Sequence, residues 1–278
     1  MLNMLHMDLR RMRGAHAFWV TLAIFCGIVL LLCVGLAITS NADLMTKFAA
    51  MGGTLTVDGE TLSDPSMAQS ELLAEAAEAR AELTAMSKAR FFYSLFCQGG
   101  GLSVFVAILT AIFVCEDFSS GFAKNIFSVR NRGVSYMLAK SLTLFCTTGV
   151  YIAICFVLAQ VCFVVLGMPL IPSTVGEYAK YLLQAWVVVG VFAVQTAFFS
   201  VWLRSVGLGI VLSFVCGGGV VAMLLQSFTH LFGINLMPYL LFGCLTADGL
   251  TVRSILVCLG WSLFYLLVGT VALRRKDI

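Results

Sequence analysis

The sequence predicts an all-α integral membrane protein: six transmembrane helices, an N-terminal interfacial helix, a short cytoplasmic helix between spans two and three, and a re-entrant segment between spans five and six. Three observations predict it. Apolar residue types make up 60% of the 278 residues and charged ones only 11%, with a mean hydropathy of +1.00, a balance that excludes a soluble domain. Several uncharged runs reach the ~20 residues that a helix needs to cross a hydrocarbon core of about 30 Å. These runs show no apolar/polar alternation, so their backbone is satisfied within helices rather than in a barrel.

In chain order, residues 1–16 place Leu2, Leu5, Leu9 and Met12 on one helical face, with Arg10, Arg11 and Arg13 near the end. That pattern predicts a helix lying in the interface before span one, about Phe18 to Ile38. The apolar region is longer than the roughly 7–15 residues of a signal-peptide core, which argues against cleavage. Residues 39–90 form one large loop with turns at Met51-Gly52-Gly53 and Val57-Asp58-Gly59-Glu60. Asp64-Pro65 then opens a helix from Ser66 to about Lys88, as an N-cap followed by proline in the first turn. Glu71, Glu75, Glu78 and Glu82 share one face of it, either a solvated surface or one that attracts cationic ligands.

Span two, about Leu95 to Cys115, opens at Gln98-Gly99-Gly100-Gly101, where glycines permit close helix approach or a break. The polar segment 116–130 follows. Phe118, Phe122, Ile126 and Val129 recur there at intervals of four, four and three, predicting a short amphipathic surface helix that docks against the spans or a partner. Spans three and four are expected at about Leu142 to Leu166 and Leu183 to Leu203, and span five at about Val206 to Phe228. Gly217-Gly218-Gly219 within span five is read as helix packing. Residues 229–254 are apolar but broken by Gly233, Pro238 and Gly243, as in a re-entrant segment. Span six runs from about Ile255 to Leu273.

Orientation follows from charge. With both termini, the 116–140 segment and Arg204 on one side, that side carries eleven of the seventeen Lys/Arg but only four of the fourteen acids, which makes it cytoplasmic. The cysteines lack metal-ligand spacing, and most lie inside apolar runs; only Cys97 and Cys244 are placed to face an oxidising exterior and pair.

No His/Asp/Glu set converges on a nucleophile, no Walker motif is present, and no ionisable side chain is expected in the middle of a span, so neither an enzyme nor an ion-coupled carrier is predicted. Gln160, Gln184, Gln195 and Thr196 are read first as interhelical hydrogen-bonding groups. Energy for transport would have to enter from outside the chain, through the cytoplasmic segment.

Glu116, Gly121, Lys124, Arg132 and Lys140 after span two, the amphipathic helix before span one and the broken apolar segment between spans five and six together resemble the six-span permeases of type 2 ATP-binding cassette (ABC-2) exporters. The resemblance implies a transmembrane domain that pairs with a second copy or a paralogue. Each copy would seat its coupling helix on a separate cytoplasmic ATPase subunit, which would hold ATP and Mg; the chain itself would need no cofactor. Glu116, Asp117, Phe118, Gly121, Phe122, Lys124, Ile126 and Arg130 would form that contact. The substrate path would pass near Gln98 and the glycines at 99–101 and 217–219. Peptide-antibiotic resistance and immunity permeases of this type export amphipathic or cationic molecules, which the acidic face at 71–82 would suit. The loop at 39–90 departs from compact members, and the alternative reading is a non-transporting membrane scaffold or sensor that binds a ligand or partner through its outer helix.

Overall fold

A computed structural model describes residues 2–41, 56–57, 60–61, 74, 77–78, 80–98, 100–123, 133–217 and 219–275. The described chain is a helical bundle, apart from a two-residue antiparallel pairing of β1 (Thr56–Val57) with β2 (Glu60–Thr61). Helices α1 (Leu2–Gly14) and α2 (His16–Thr39) are followed by α3 (Lys88–Phe92), α4 (Gly101–Ser119), α5 (Gly133–Val165) and α6 (Val175–Leu203). Then come α7 (Val206–Gly217), α8 (Val220–His230), α9 (Leu241–Thr246) and α10 (Val252–Arg275). Of these, α2, α4, α5, α6 and α10 are long and apolar enough to cross a membrane, and α7 with α8 makes a sixth span only if the bent pair is counted as one.

α6 is the centre of the bundle. In its most apolar window 72% of the residues are buried, against 22% for α10, which packs on it from outside. The helix starts eight residues before the expected Leu183, because Thr174 and Glu177 form a capping box: the Thr174 hydroxyl accepts from the Glu177 N–H, and the Glu177 carboxylate accepts from the Thr174 N–H. α5 likewise begins at Gly133 rather than near Leu142. At 33 residues it is about 50 Å long, well beyond the ~30 Å of a hydrocarbon core, so its first turns belong to one end of the bundle. Polar side chains tie the helices together: Tyr151 donates to Thr21 across α5 and α2, and Tyr178 donates to Gln160 across α6 and α5.

Both glycine clusters are breaks. Helical residues 80–85 stop short of Lys88, and Ser87 bridges to Ile171 before capping α3. α3 runs into a turn of π-helix, Tyr93–Gln98, and Gly100 then enters the left-handed region (φ 77°) to start α4. Gly219 does the same (φ 81°) between α7 and α8, which are inclined by 47°. A Cβ at Gly219 would stand 2.4 Å from the Phe242 ring, so the packing expected of Gly217-Gly218-Gly219 as an unbroken helix face is replaced by a bend into which Phe242 fits.

The segment between α8 and α10 folds back as a 3-10 turn at Met237–Tyr239 and the six-residue α9. Its exposed-ended backbone is satisfied by side chains. Tyr93 donates to the carbonyl of Leu245, Gln98 to that of Thr246 at 2.8 Å, and Gln184 to those of Cys244 and Ala247. Four consecutive carbonyls at the end of α9 thus find donors. Cys97 and Cys244 are free thiols and both are buried, so neither stands at the exposed position that the expected pairing requires.

Candidate functional site at the amino-terminal end of the bundle

The expected surface helix begins differently in the structure. α4 runs without interruption through Glu116, Asp117 and Phe118 to Ser119, and Gly121 (φ 73°) turns the chain before Phe122. Phe118 and Phe122 therefore do not stand on one continuous helical stripe. Lys124, Ile126 and Arg130 lie outside the described residues, as do Arg132, Gly99, Gly218, Glu71 and Glu75. Glu78 and Glu82 are exposed.

Asp117, expected on the docking surface, is instead fully buried. The reason is a charged cluster that joins three helices. Asp117 Oδ1 accepts from Arg11 of α1 at 2.8 Å, and Asp117 Oδ2 lies 2.8 Å from the Lys140 ammonium of α5 and 2.7 Å from the Tyr136 hydroxyl that donates to it. Asp8 of α1 completes the set at 3.3 Å from Lys140 and 3.9 Å from Arg11. Two acids face two bases, so the charges balance, which is the condition under which such groups persist away from water. Lys140 sits 3.7 Å from the centre of the Phe113 ring and Arg11 4.0 Å from that of Phe122, adding cation–π contacts. Burial pushes the Asp8 carboxyl above its ordinary range, an effect that the nearby Lys140 ammonium opposes.

The cluster also turns α1. Its inward face is Asp8 and Met12, with Leu5 half-buried, while Leu9 is 36% exposed, so the stripe expected from the leucines is rotated by about one residue. The driving residue is an acid, which a search for apolar periodicity passes over. Lys140, expected just before span three, lies seven residues into α5 and is 1% exposed. Its partners are more than 20 and more than 130 positions away, a distance across which the sequence gives no pairing signal.

Outside this buried base the end of α4 is open. Glu116 and Ser119 are exposed, Phe118 and Phe122 are half-buried, and Ser120 caps the helix through the Glu116 carbonyl. An open cavity of about 420 Å³ lies between Phe118, Ser119 and Gly121 on one side and Arg204 with Val206 on the other. Arg204, in the tight turn between α6 and α7, is held in the left-handed conformation (φ 51°) with its guanidinium 5.5 Å from the Phe118 ring. The site is thus an exposed acid, two partly exposed aromatic rings and an arginine, on a base that three helices share. Such a surface can seat a helix-binding or groove-bearing partner; it holds no nucleophile and base in contact.

At the opposite end of α4, Gln98 and Gly100 shape the π-turn and the carbonyl contacts of α9, and Gly101 packs near the Phe96 carbonyl. Gln98, partly buried, donates to the Thr246 carbonyl. Gly217 and Gly219 frame the bend beside a smaller cavity lined by Phe192, Gln195, Trp261 and Tyr265, among others. Among the described residues no group of three His, Cys, Asp or Glu side chains is placed to hold a metal ion. The chain matches no protein-family model and no curated protein.

Proposed function

We propose that this chain is the transmembrane permease subunit of an ATP-driven exporter of the ABC-2 type, working with a separate cytoplasmic ATPase subunit and a second permease copy or paralogue. In this reading α2, α4, α5, α6, the bent pair α7–α8 and α10 are its six spans, both termini face the cytoplasm, and the end of α4 is the coupling surface. The observation that carries the reading is the buried ionic cluster of Asp8, Arg11, Asp117 and Lys140. It binds the two helices that flank the 116–132 connection to each other and to α1. Displacement of the exposed Glu116 and the half-buried Phe118 and Phe122 by a partner is then passed to the spans as a rigid-body motion, which is what coupling to a remote ATPase requires.

The substrate is an amphipathic or cationic molecule such as an antimicrobial peptide. Support for that class is the exposed acidic pair Glu78 and Glu82 at the other end of the molecule, with Glu71 and Glu75 at the same helical spacing in the sequence.

The test is co-purification of the tagged chain with a candidate ATPase, followed by ATP hydrolysis in lipid with and without a cationic peptide. Wild type retains the ATPase and hydrolysis responds to peptide; Glu116→Ala, an exposed substitution that leaves the bundle folded, weakens retention or uncouples hydrolysis from peptide. Unchanged retention and coupling in Glu116→Ala and Phe122→Asp would remove the role given to this surface, and failure of any ATPase to bind would favour a scaffold or sensor.

A further inference from the structure

On the outer side of α1, away from the ionic cluster, a groove of about 290 Å³ runs between α1, the first turn of α2 and the middle of α5. Leu9, Met12, Phe18, Trp19, Cys146 and Val150 line it, with Arg13 and Thr147 as its polar members. Trp19 is 55% exposed, and its indole N–H donates to the Arg13 carbonyl at 2.9 Å, fixing the α1–α2 corner in the position that an aromatic residue takes at a bilayer interface. Beyond the groove the apolar surface continues along α5 through Val150, Ile154, Val157, Val161 and Val164, all exposed and at spacings of three and four.

Charge separates the two faces of α1. Its single acid, Asp8, is turned into the buried cluster, and Arg11 is held there by two carboxylates. His6, Arg10 and Arg13 are left on the outer face at spacings of four and three, exposed, and no acidic side chain among the described residues lies within ion-pair distance of Arg10 or Arg13. The outer face is therefore cationic without compensation, and it adjoins an apolar channel that leads along a spanning helix.

We propose that this groove binds one anionic phospholipid, its phosphate on Arg13 and Arg10 and an acyl chain laid across Cys146 and Val150 onto the α5 stripe. Neither half of the site suffices for a different ligand: a free anion would leave the apolar groove unfilled, and a zwitterionic lipid, whose choline ammonium cancels its phosphate, would leave the net positive charge of the two arginines uncompensated. The proposal does not depend on the transport reading.

The experiment is native mass spectrometry of the detergent-purified full chain after exposure to phosphatidylglycerol or phosphatidylcholine. One phosphatidylglycerol is retained in preference to phosphatidylcholine, and the double variant Arg10→Gln/Arg13→Gln weakens retention about thirtyfold, as removal of two interfacial charges implies. Arg253→Gln, at the other end of the bundle, leaves retention unchanged. A second readout uses Cys146, the one exposed thiol among the ten cysteines. In nanodiscs it is alkylated several-fold more slowly with phosphatidylglycerol than with phosphatidylcholine, and the difference vanishes in the double variant. Equal retention of the two lipids, equal alkylation in both bilayers, or full retention by the double variant overturns the proposal.

Discussion

Asp8 and Lys140, separated by 132 positions in the chain, meet at 3.3 Å with 2% and 1% of their side chains exposed. Their contact adds charge to the apolar packing of Met4 and Met12 that fastens α1 to the bundle, and the two bases share the acids unequally. Lys140 holds both acids, Asp117 at 2.8 Å and Asp8 at 3.3 Å, whereas Arg11 holds Asp117 at 2.8 Å but reaches Asp8 only at 3.9 Å.

Replacing Lys140 by Met leaves both acids buried with Arg11 as their only base, and is expected to destabilise the protein by about 3–5 kcal/mol. Asp8→Asn keeps a polar partner for Lys140 and costs less, about 1 kcal/mol. Thermal unfolding in detergent orders the two variants; equal losses would mean that the cluster is not organised around Lys140.

The same acid gives a pH signature. Burial raises the Asp8 carboxyl above the ordinary value of 3.8, so the folded chain holds this proton more tightly than the unfolded chain does. Its contribution to stability is therefore greatest at low pH and declines as pH rises from about 3.8 through the raised value. Melting temperatures measured across that interval should fall less steeply in Asp8→Asn than in wild type.

Asp248 behaves in the opposite sense. The Tyr181 hydroxyl donates to it at 2.6 Å, and Arg90 stands 3.8 Å from its other oxygen, which together hold the carboxyl below its ordinary range. The resulting stabilisation is present above the unfolded value of 3.8 and is lost as pH falls through the depressed one. Asp248 is 60% exposed, so solvent screens the pair and the effect is small. Tyr181→Phe should lower the melting temperature slightly at neutral pH and leave it unaltered at the acid end, where wild type has already lost the interaction.

Gly219→Ala forces an alanine into the left-handed region and places its Cβ 2.4 Å from the Phe242 ring. The backbone part costs about 1 kcal/mol and the clash more. In a double-mutant cycle Phe242→Leu should relieve the clash and leave the backbone part, giving a coupling of at least about 0.5 kcal/mol. Strict additivity would show that the ring does not occupy the bend.

The long elements were legible in the sequence because each is a continuous apolar run: α2, α6 and α10 extend only a few residues beyond the positions that hydropathy marks, apart from the capped start of α6. That start was written in Thr174 and Glu177, a spacing with a known mechanism. The glycines at 99–101 announced a close approach or a break without saying which, and those at 217–219 read as helix packing, since a glycine that admits a neighbouring helix and one that adopts positive φ have the same side chain. Only the partner decides, and for Gly219 that partner is Phe242. The ionic base of the candidate site was the least legible part. A charged residue beside a span reads as a surface residue, and Asp117 is buried only because Arg11, Tyr136 and Lys140 arrive from other segments.

The aromatic lid over Lys140 has a chemical corollary. An amine enclosed by Phe113, two carboxylates and the docked α1 is shielded from acylating reagents, whereas Lys180 is exposed and reacts freely. Lys140 thus reports on its own enclosure: label accumulating there measures how often α1 lifts away, with no probe introduced and no residue changed.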